Sequence, residues 1–412
     1  MPSDTRPKLR SLEIIPFESR GQEMLLLRDR LGIASDASIP RNLAPLLDLL
    51  DGTNTPAELI RLHFNNSGEN LPLRFVERII AELDEAYLLA SSRFAAKRQA
   101  TVEAYINMPS RPAILAGGSY PSEPRRLAER LDGYFQEAAI LDGAASARTA
   151  PLAGIVVPHI DFARGGPVEA MAYERLRGGS FDTMVILGIA HCGVRYPFCV
   201  APKDFETPLG TARLDREFVA ALEEKIGPRL TAEQFAHKNE HSVEFVTVFL
   251  QYMPEFRDAA IVPIICGGFH DIMRRGISPL ADPEVAEFVS VLRDTVLLAR
   301  EAGKRVGLIA SVDLSHVGSR FGDDTPLTPD LLGFIESADR EFLECVERGD
   351  SNELHCKLAR DDNARNVDAH SAVFALLAAF PEIRGQLLHY AQAYDAPANS
   401  VVSFASMALY WG

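Results

Sequence analysis

Little in this sequence could build a disulfide framework. Its 412 residues include five cysteines, Cys192, Cys199, Cys266, Cys345 and Cys356, an odd number with no CxxC pair. That usage argues against a cysteine-stapled scaffold and suits reduced thiols in a cytoplasm. No apolar run approaches the length that spans a bilayer. The basic residues near the start, in MPSDTRPKLRSLEIIPFE, have no apolar stretch of a signal peptide behind them. Positive charge is also short, with 42 Lys and Arg against 57 Asp and Glu and a net charge of -15. Phosphate binding needs a basic surface, so this balance argues against nucleic acid as the main partner. It argues equally against docking on an anionic membrane, and for a cytoplasmic protein that repels itself in solution. What is present is globular: 47% hydrophobic and 24% charged residues. The length suggests two domains, or one domain with an appendage.

The first hundred residues read as a small unit. LEIIPFE and EMLLLRDR are strand-like runs around Ser19-Arg20-Gly21-Gln22, which is hairpin chemistry. Leu43, Leu46, Leu47 and Leu50 then mark one face of a helix that ends at Asp51-Gly52. Thr55-Pro56-Ala57-Glu58 is a capping box with proline at the first helical position. Val76, Ile79, Ile80, Leu83 and Tyr87 give a third helix. The expected organisation is a winged-helix-like module over 1–95, a linker over 96–110 entered through a helix, and an α/β domain over 111–412. The core LLDLLDGTNTPAELI resembles the PqqD-like peptide-recognition modules found beside radical-SAM enzymes. The resemblance implies a peptide ligand added as a strand to the hairpin edge. A helical domain that caps its neighbour or mediates dimerisation is the alternative, and the residues leave both open.

Beyond Arg111 strand-like and helix-like segments alternate, which predicts a mostly parallel central sheet flanked by helices. The strand candidates are Gly154–Val157, Met184–Gly188, Ala260–Ile265 and Val306–Ala310. Three of them run straight into metal-binding residue types: Pro158-His159, Ala190-His191, and Asp313-Leu314-Ser315-His316. Loops at the carboxyl ends of parallel strands surround one crevice, so these side chains are expected to meet. A single histidine after a strand is more often a cap or a packing residue; three such ends favour a shared site. The segment HKNEHSVEF adds His237, Glu240, His241 and Glu244, with the two histidines four residues apart as on zinc-binding helices. It is not HExxH, and the blander reading gives Glu240 and His241 supporting roles behind a metal.

These segments together carry a resemblance. RPAILAGGSYPSEPRRLAERL, VVPHIDFARGG, ILGIAHCG, FETPLGTARLD, HKNEHSVEFVTVFLQYM, IVPIICG and SVDLSHVG resemble, in order, the motifs of the MEMO family from Arg111 to Trp411. The resemblance implies the fold of class III extradiol dioxygenases, whose members carry Fe(II) on two histidines and a carboxylate. MEMO proteins use two histidines and a cysteine. The histidines carry over as His159 and His191, and the cysteine position is occupied by Asp368 within ARNVDAHSAVFALL. Thiolate suits Zn and Cu(I), whereas two imidazoles and a carboxylate suit Fe(II) or Mn(II). The expected metal site is therefore His159, His191 and Asp368 with Fe(II), and Zn, Cu or Mn as other ions. Loss of the site altogether is the competing view.

The resemblance further implies that His316 is a catalytic acid and base, since imidazole titrates near neutral pH. Asp313 would orient it or touch a ligand, and His241 and His370 would contact substrate or support the metal. Cys192 is either redox-sensitive or an inert thiol. The expected activity is that of a metal-dependent oxidoreductase, with radical-SAM and AMMECR-domain proteins as partners and a peptide as substrate. A binding scaffold and a zinc hydrolase on the same ligands are the alternatives.

Overall fold

A computed structural model describes residues 6–141, 150–177, 179–323 and 325–412. Its contacts divide the chain into two compact units, one ending at Met108 and the other running from Pro109 to Gly412.

In the N-terminal unit, β1 (Glu13–Ser19), β2 (Gln22–Arg28) and β3 (Ala37–Pro40) form an antiparallel sheet in that order. Arg20 and Gly21 both take positive φ, 52° and 75°. That pair of left-handed residues matches the twist of a two-residue hairpin. Leu43, Leu46 and Leu47 are buried as expected, on a 3₁₀ turn and the short helix Ala44–Asp48, and Leu50 is buried just past the helix end. Thr55 caps the helix Pro56–Ser67, accepting from Glu58 N while the Glu58 carboxylate accepts from Thr55 N. Val76, Ile80 and Leu83 are the buried stripe of the helix Leu73–Glu85. Tyr87 lies past its end, at φ 61°. A further helix, Ser92–Ile106, fills most of the stretch between 96 and 110.

The larger unit starts with β4 (Ser110–Arg111), β5 (Leu152–Val157), β6 (Thr183–Ile189), β7 (Phe198–Val200), β8 (Asp204–Thr207) and β9 (Gly210–Ala212). There follow β10 (Ala260–Cys266), β11 (Val306–Ser311), β12 (His316–Gly318), β13 (Ile383–Asp395) and β14 (Ser400–Trp411). The main sheet runs β12-β14-β5-β11-β6-β10-β7, with β13 paired to β14. Its centre, β5-β11-β6-β10, is parallel throughout. β14, β7, β12 and β13 are added antiparallel. This is the α/β fold with a mostly parallel central sheet that the alternation of segments implies.

The four central strands are β-rich in Val and Ile and buried on both faces, as covered parallel strands must be. On β6, Val185, Leu187 and Ile189 enter one core and Met184 and Ile186 the other. The first core packs against the helices Arg216–Ile226, Pro283–Glu301 and His370–Ala379. The second packs against Pro124–Leu141, Phe162–Leu176 and His241–Tyr252. Gly188 is needed where the last helix crosses β6, because a Cβ there would collide with the Ser242 hydroxyl. Among the described residues no helix is long and apolar enough to cross a membrane.

Candidate metal centre

Parallel pairing puts the carboxyl ends of β5, β11, β6 and β10 on one edge. His159 follows β5, with its Nδ1 2.9 Å from the carbonyl of Ser311 at the end of β11. A carbonyl only accepts, so Nδ1 carries the proton of the neutral ring and Nε2 is the atom presented to the crevice. His191 follows β6, and its Nδ1 lies 3.0 and 3.1 Å from the two carboxylate oxygens of Glu240. Its Nε2 is thereby the donor atom too.

Asp368 sits just before the helix His370–Ala379. The loop that presents it takes positive φ at Asp362, Asn363 and Asn366. It is held by the Asn363 side chain, which accepts from Val367 N (2.9 Å) and donates to Val367 O (3.0 Å). Asp368 Oδ1 accepts from Asp313 N at 2.9 Å, which fixes the carboxylate. Its Oδ2 then stands 3.1 Å from His159 Nε2 and 3.9 Å from His191 Nε2. The structure thus brings His159, His191 and Asp368 together.

His241 is there as well. It opens the helix His241–Tyr252, whose N-cap is Glu240, and Ser242 ties that turn to β6 by accepting from Ile189 N at 3.0 Å. Donor atoms of His159, His191 and His241 all lie within 4.8 Å of one another. The ring centroids are 5.1 Å apart for His159 and His191, 4.9 Å for His159 and His241, and 4.4 Å for His191 and His241.

His237 does not join them. The residues from Gln234 to Asn239 form a 3₁₀ segment, so the four-residue spacing to His241 is not a shared helical face. Its ring is buried and its Nε2 donates to the Cys199 carbonyl (3.0 Å). Burial, with the Arg111 charge nearby, holds its pKa down to about 4, so it stays neutral. Glu244 is absorbed in a buried cluster, accepting from Tyr120 OH, Leu115 N and Arg111. Arg111 also donates to the carbonyls of His237 and Glu240, which fastens the start of this unit to the turn carrying the site.

Asp313 is tied to the His159 turn, with its Oδ2 3.9 Å from His159 Nε2. Its Oδ1 accepts from the backbone N of His159 (3.0 Å) and Ile160 (3.2 Å), so it shapes the His159 turn. The His316 ring is oriented by carbonyls, with Nδ1 3.0 Å from Leu314 O and 3.2 Å from Asn366 O. That leaves Nε2 as the ring nitrogen not turned to these carbonyls. His370 is buried, with Nε2 3.0 Å from His355 Nδ1. Cys192 is half-buried, its thiol 3.8 Å from the Ala236 carbonyl.

Electrostatics follow from this crowding. Burial opposes a charge on His159, yet Asp313 and then Asp368 outweigh it and lift its pKa to about 10. In the ion-free protein His159 therefore holds a proton, which any metal must displace. Burial raises Asp313, while Asp368 is held down because His159 overcomes the same burial. His241 is pushed down to about 3 by loss of solvent and by the His191 ring beside it, although a third of its side chain remains exposed to the crevice.

A cavity of about 280 Å³ opens beside His191 and Asp368, walled by Phe269, His270, Asn366 and His370. A larger hollow of about 820 Å³ along the helix Pro124–Leu141 is lined by Arg126, Arg130, Glu129 and Glu137 and carries no imidazole. The smaller cavity is the one with chemistry at its floor. His270 and Phe269 were not singled out by sequence reasoning. Their signal was the same as for the other strands, since β10 runs into Gly267-Gly268-Phe269-His270 at the shared edge.

Comparison with known proteins places these residues in a family context. The family described as Memo-like protein matches residues 111–408. A MEMO1 family protein of Aquifex aeolicus is 30% identical over 408 residues, covering 98% of this chain and 100% of that protein. A relative so named from Thermus thermophilus is 28% identical, over 84% of this chain and 96% of its own length. One from Methanopyrus kandleri is 33% identical, over 72% of this chain and 97% of its own.

Proposed function

The chain belongs to the Memo-like protein family, and we propose that its strand-end crevice is the metal centre of an oxidoreductase, with His159, His191 and Asp368 holding Fe(II). The observation that carries this is the convergence of two imidazole Nε2 atoms on one carboxylate oxygen, at 3.1 and 3.9 Å. Two imidazoles and a carboxylate are the donor set of non-haem Fe(II) sites. When bound, Fe(II) supplies one-electron redox chemistry and positions at which a substrate and O2 are brought together.

The protein's own groups do the rest. The Ser311 carbonyl and the Glu240 carboxylate fix the ligand tautomers, as partners behind metal-bound histidines generally do. Asp313 holds the backbone of the His159 turn in place. His316 moves a proton at Nε2, because its Nδ1 is committed to carbonyls. Substrate enters the 280 Å³ cavity, where Phe269 and Met273 exclude water from one wall. We extend the proposal to a peptide substrate recognised along β1, an edge strand of the N-terminal sheet, and to radical-SAM and AMMECR-domain partners.

The test is metal content after anaerobic purification, for the wild type and Asp368→Ala. Iron near one per chain, lost in the variant, supports the reading and makes an oxygen-uptake assay the next step. Little metal even after Fe(II) is offered would leave a binding protein. Turnover with Zn(II) and none with Fe(II) would make the site a hydrolase.

A further inference from the structure

We infer that His241 is a fourth protein ligand, so that the centre consists of three imidazoles and one carboxylate, with the Glu240 carboxylate beside two of the imidazoles at once. The inference deepens the metal reading above and rests on it.

The argument starts from Glu240, whose carboxylate is buried and whose two oxygens both accept from backbone N–H groups. Oε1 lies 3.0 Å from His191 Nδ1 and 3.4 Å from His241 Nδ1. Oxygens that already accept from backbone N–H groups also accept from His191 Nδ1, so that ring presents its Nε2 lone pair, and the same carboxylate stands beside the His241 ring. The remaining capacity of Glu240 goes to the backbone N of His191 (3.0 Å) and of Ser242 (2.9 Å). Glu240 is thus spent on orientation and is not itself a ligand.

The rings come from three different places, the end of β5, the end of β6 and a helix N-terminus, and meet over one volume. His191 and His241 lie nearly parallel, at 27°, and both stand steeply across His159, at 75° and 83°. Phe245, one turn along, holds the His241 ring from the other side at 5.6 Å. Imidazole nitrogens sit ~2.0–2.1 Å from a bound ion, so two donors of one ion lie at most about 4.2 Å apart. The three donor atoms fall within 4.8 Å of one another. Closing that set takes a shift of about half an ångström.

Two consequences separate this from the three-ligand site. A coordinated nitrogen cannot also shuttle a proton, so that role stays with His316. Four protein donors fill the usual coordination of Zn, whereas ions that accept five or six donors keep room for a substrate.

The experiment uses Cu(II) as the probe on the full-length chain, with pulsed EPR to count coordinated imidazoles and a chelator competition to give affinity. The wild type is expected to show three imidazoles. His241→Ala and His241→Asn should each show two, with affinity weakened ten- to a hundredfold and an unchanged far-UV circular dichroism spectrum. Glu240→Gln should keep the metal but weaken it by a similar factor. Folded His241 variants with the wild-type spectrum and affinity would overturn the inference and leave the three-ligand centre standing. A wild type that takes up no ion would overturn both readings together.

Discussion

At Asp368 the surrounding hydrogen bonds are those of a carboxylate. Oδ1 accepts from Asp313 N while Oδ2 faces His159, a division of labour that one sulfur cannot reproduce. Asp368→Cys should therefore shift selectivity from Fe(II) and Mn(II) toward Zn(II) and Cu(I). Competitive metal loading read by elemental analysis checks this, and an unchanged metal ratio would count against Asp368 as a donor. His237 gives a prediction in pH. Its pKa is about 4 in the folded chain against 6.5 for an ordinary histidine, so between these values the unfolded chain binds the extra proton. Stability then falls as pH drops from 6.5 to 4, by up to about 1.4 kcal/mol per pH unit from this residue. Thermal melts across that window should be flatter for His237→Gln than for the wild type.

Among the elements, the four central strands and the residues at their ends could be read directly. Continuous apolar runs and the histidines or aspartate after them need no tertiary information to be seen. What could not be read was how the turns partition those residues. His237 and His241 have helical spacing in the sequence, yet the helix begins only at His241 because Glu240 takes extended dihedrals as its cap. Asp313 lies three residues before His316, yet its oxygen is claimed by the backbone of a turn 154 positions earlier. Such partners are settled by strand order, which a single sequence does not state. The contact of β6 with the helix His241–Tyr252 yields a test of this coupling. Gly188→Ala should lower the melting temperature and reduce metal uptake together, because the added Cβ displaces the Ser242 turn that carries His241. A variant that loses stability yet keeps full metal uptake would show that the turn adjusts without moving the ring.

Over the whole molecule, every candidate ligand comes from the unit that begins at Pro109, and the family match begins at residue 111. A chain shortened to residues 109–412 should bind metal with the wild-type stoichiometry, while any peptide affinity carried by β1 is lost. Metal analysis and peptide binding on the same preparation decide between this and a site that needs both units. Sequence reasoning reached the family and the sheet at this scale. It did not reach the position of β14. That strand pairs with β5 inside the sheet, so Ile155 finds one neighbour in Ile309 and the other in Ala408. During synthesis at ~5–20 residues per second, β5 therefore waits on the order of ten to thirty seconds with both edges bare before β11 is made. Open, Val-rich edges are templates for the wrong partner. The nascent chain should accordingly depend on a chaperone throughout that interval, and slowing the ribosome between β5 and β11 should cost more protein to aggregation than slowing it anywhere before β5.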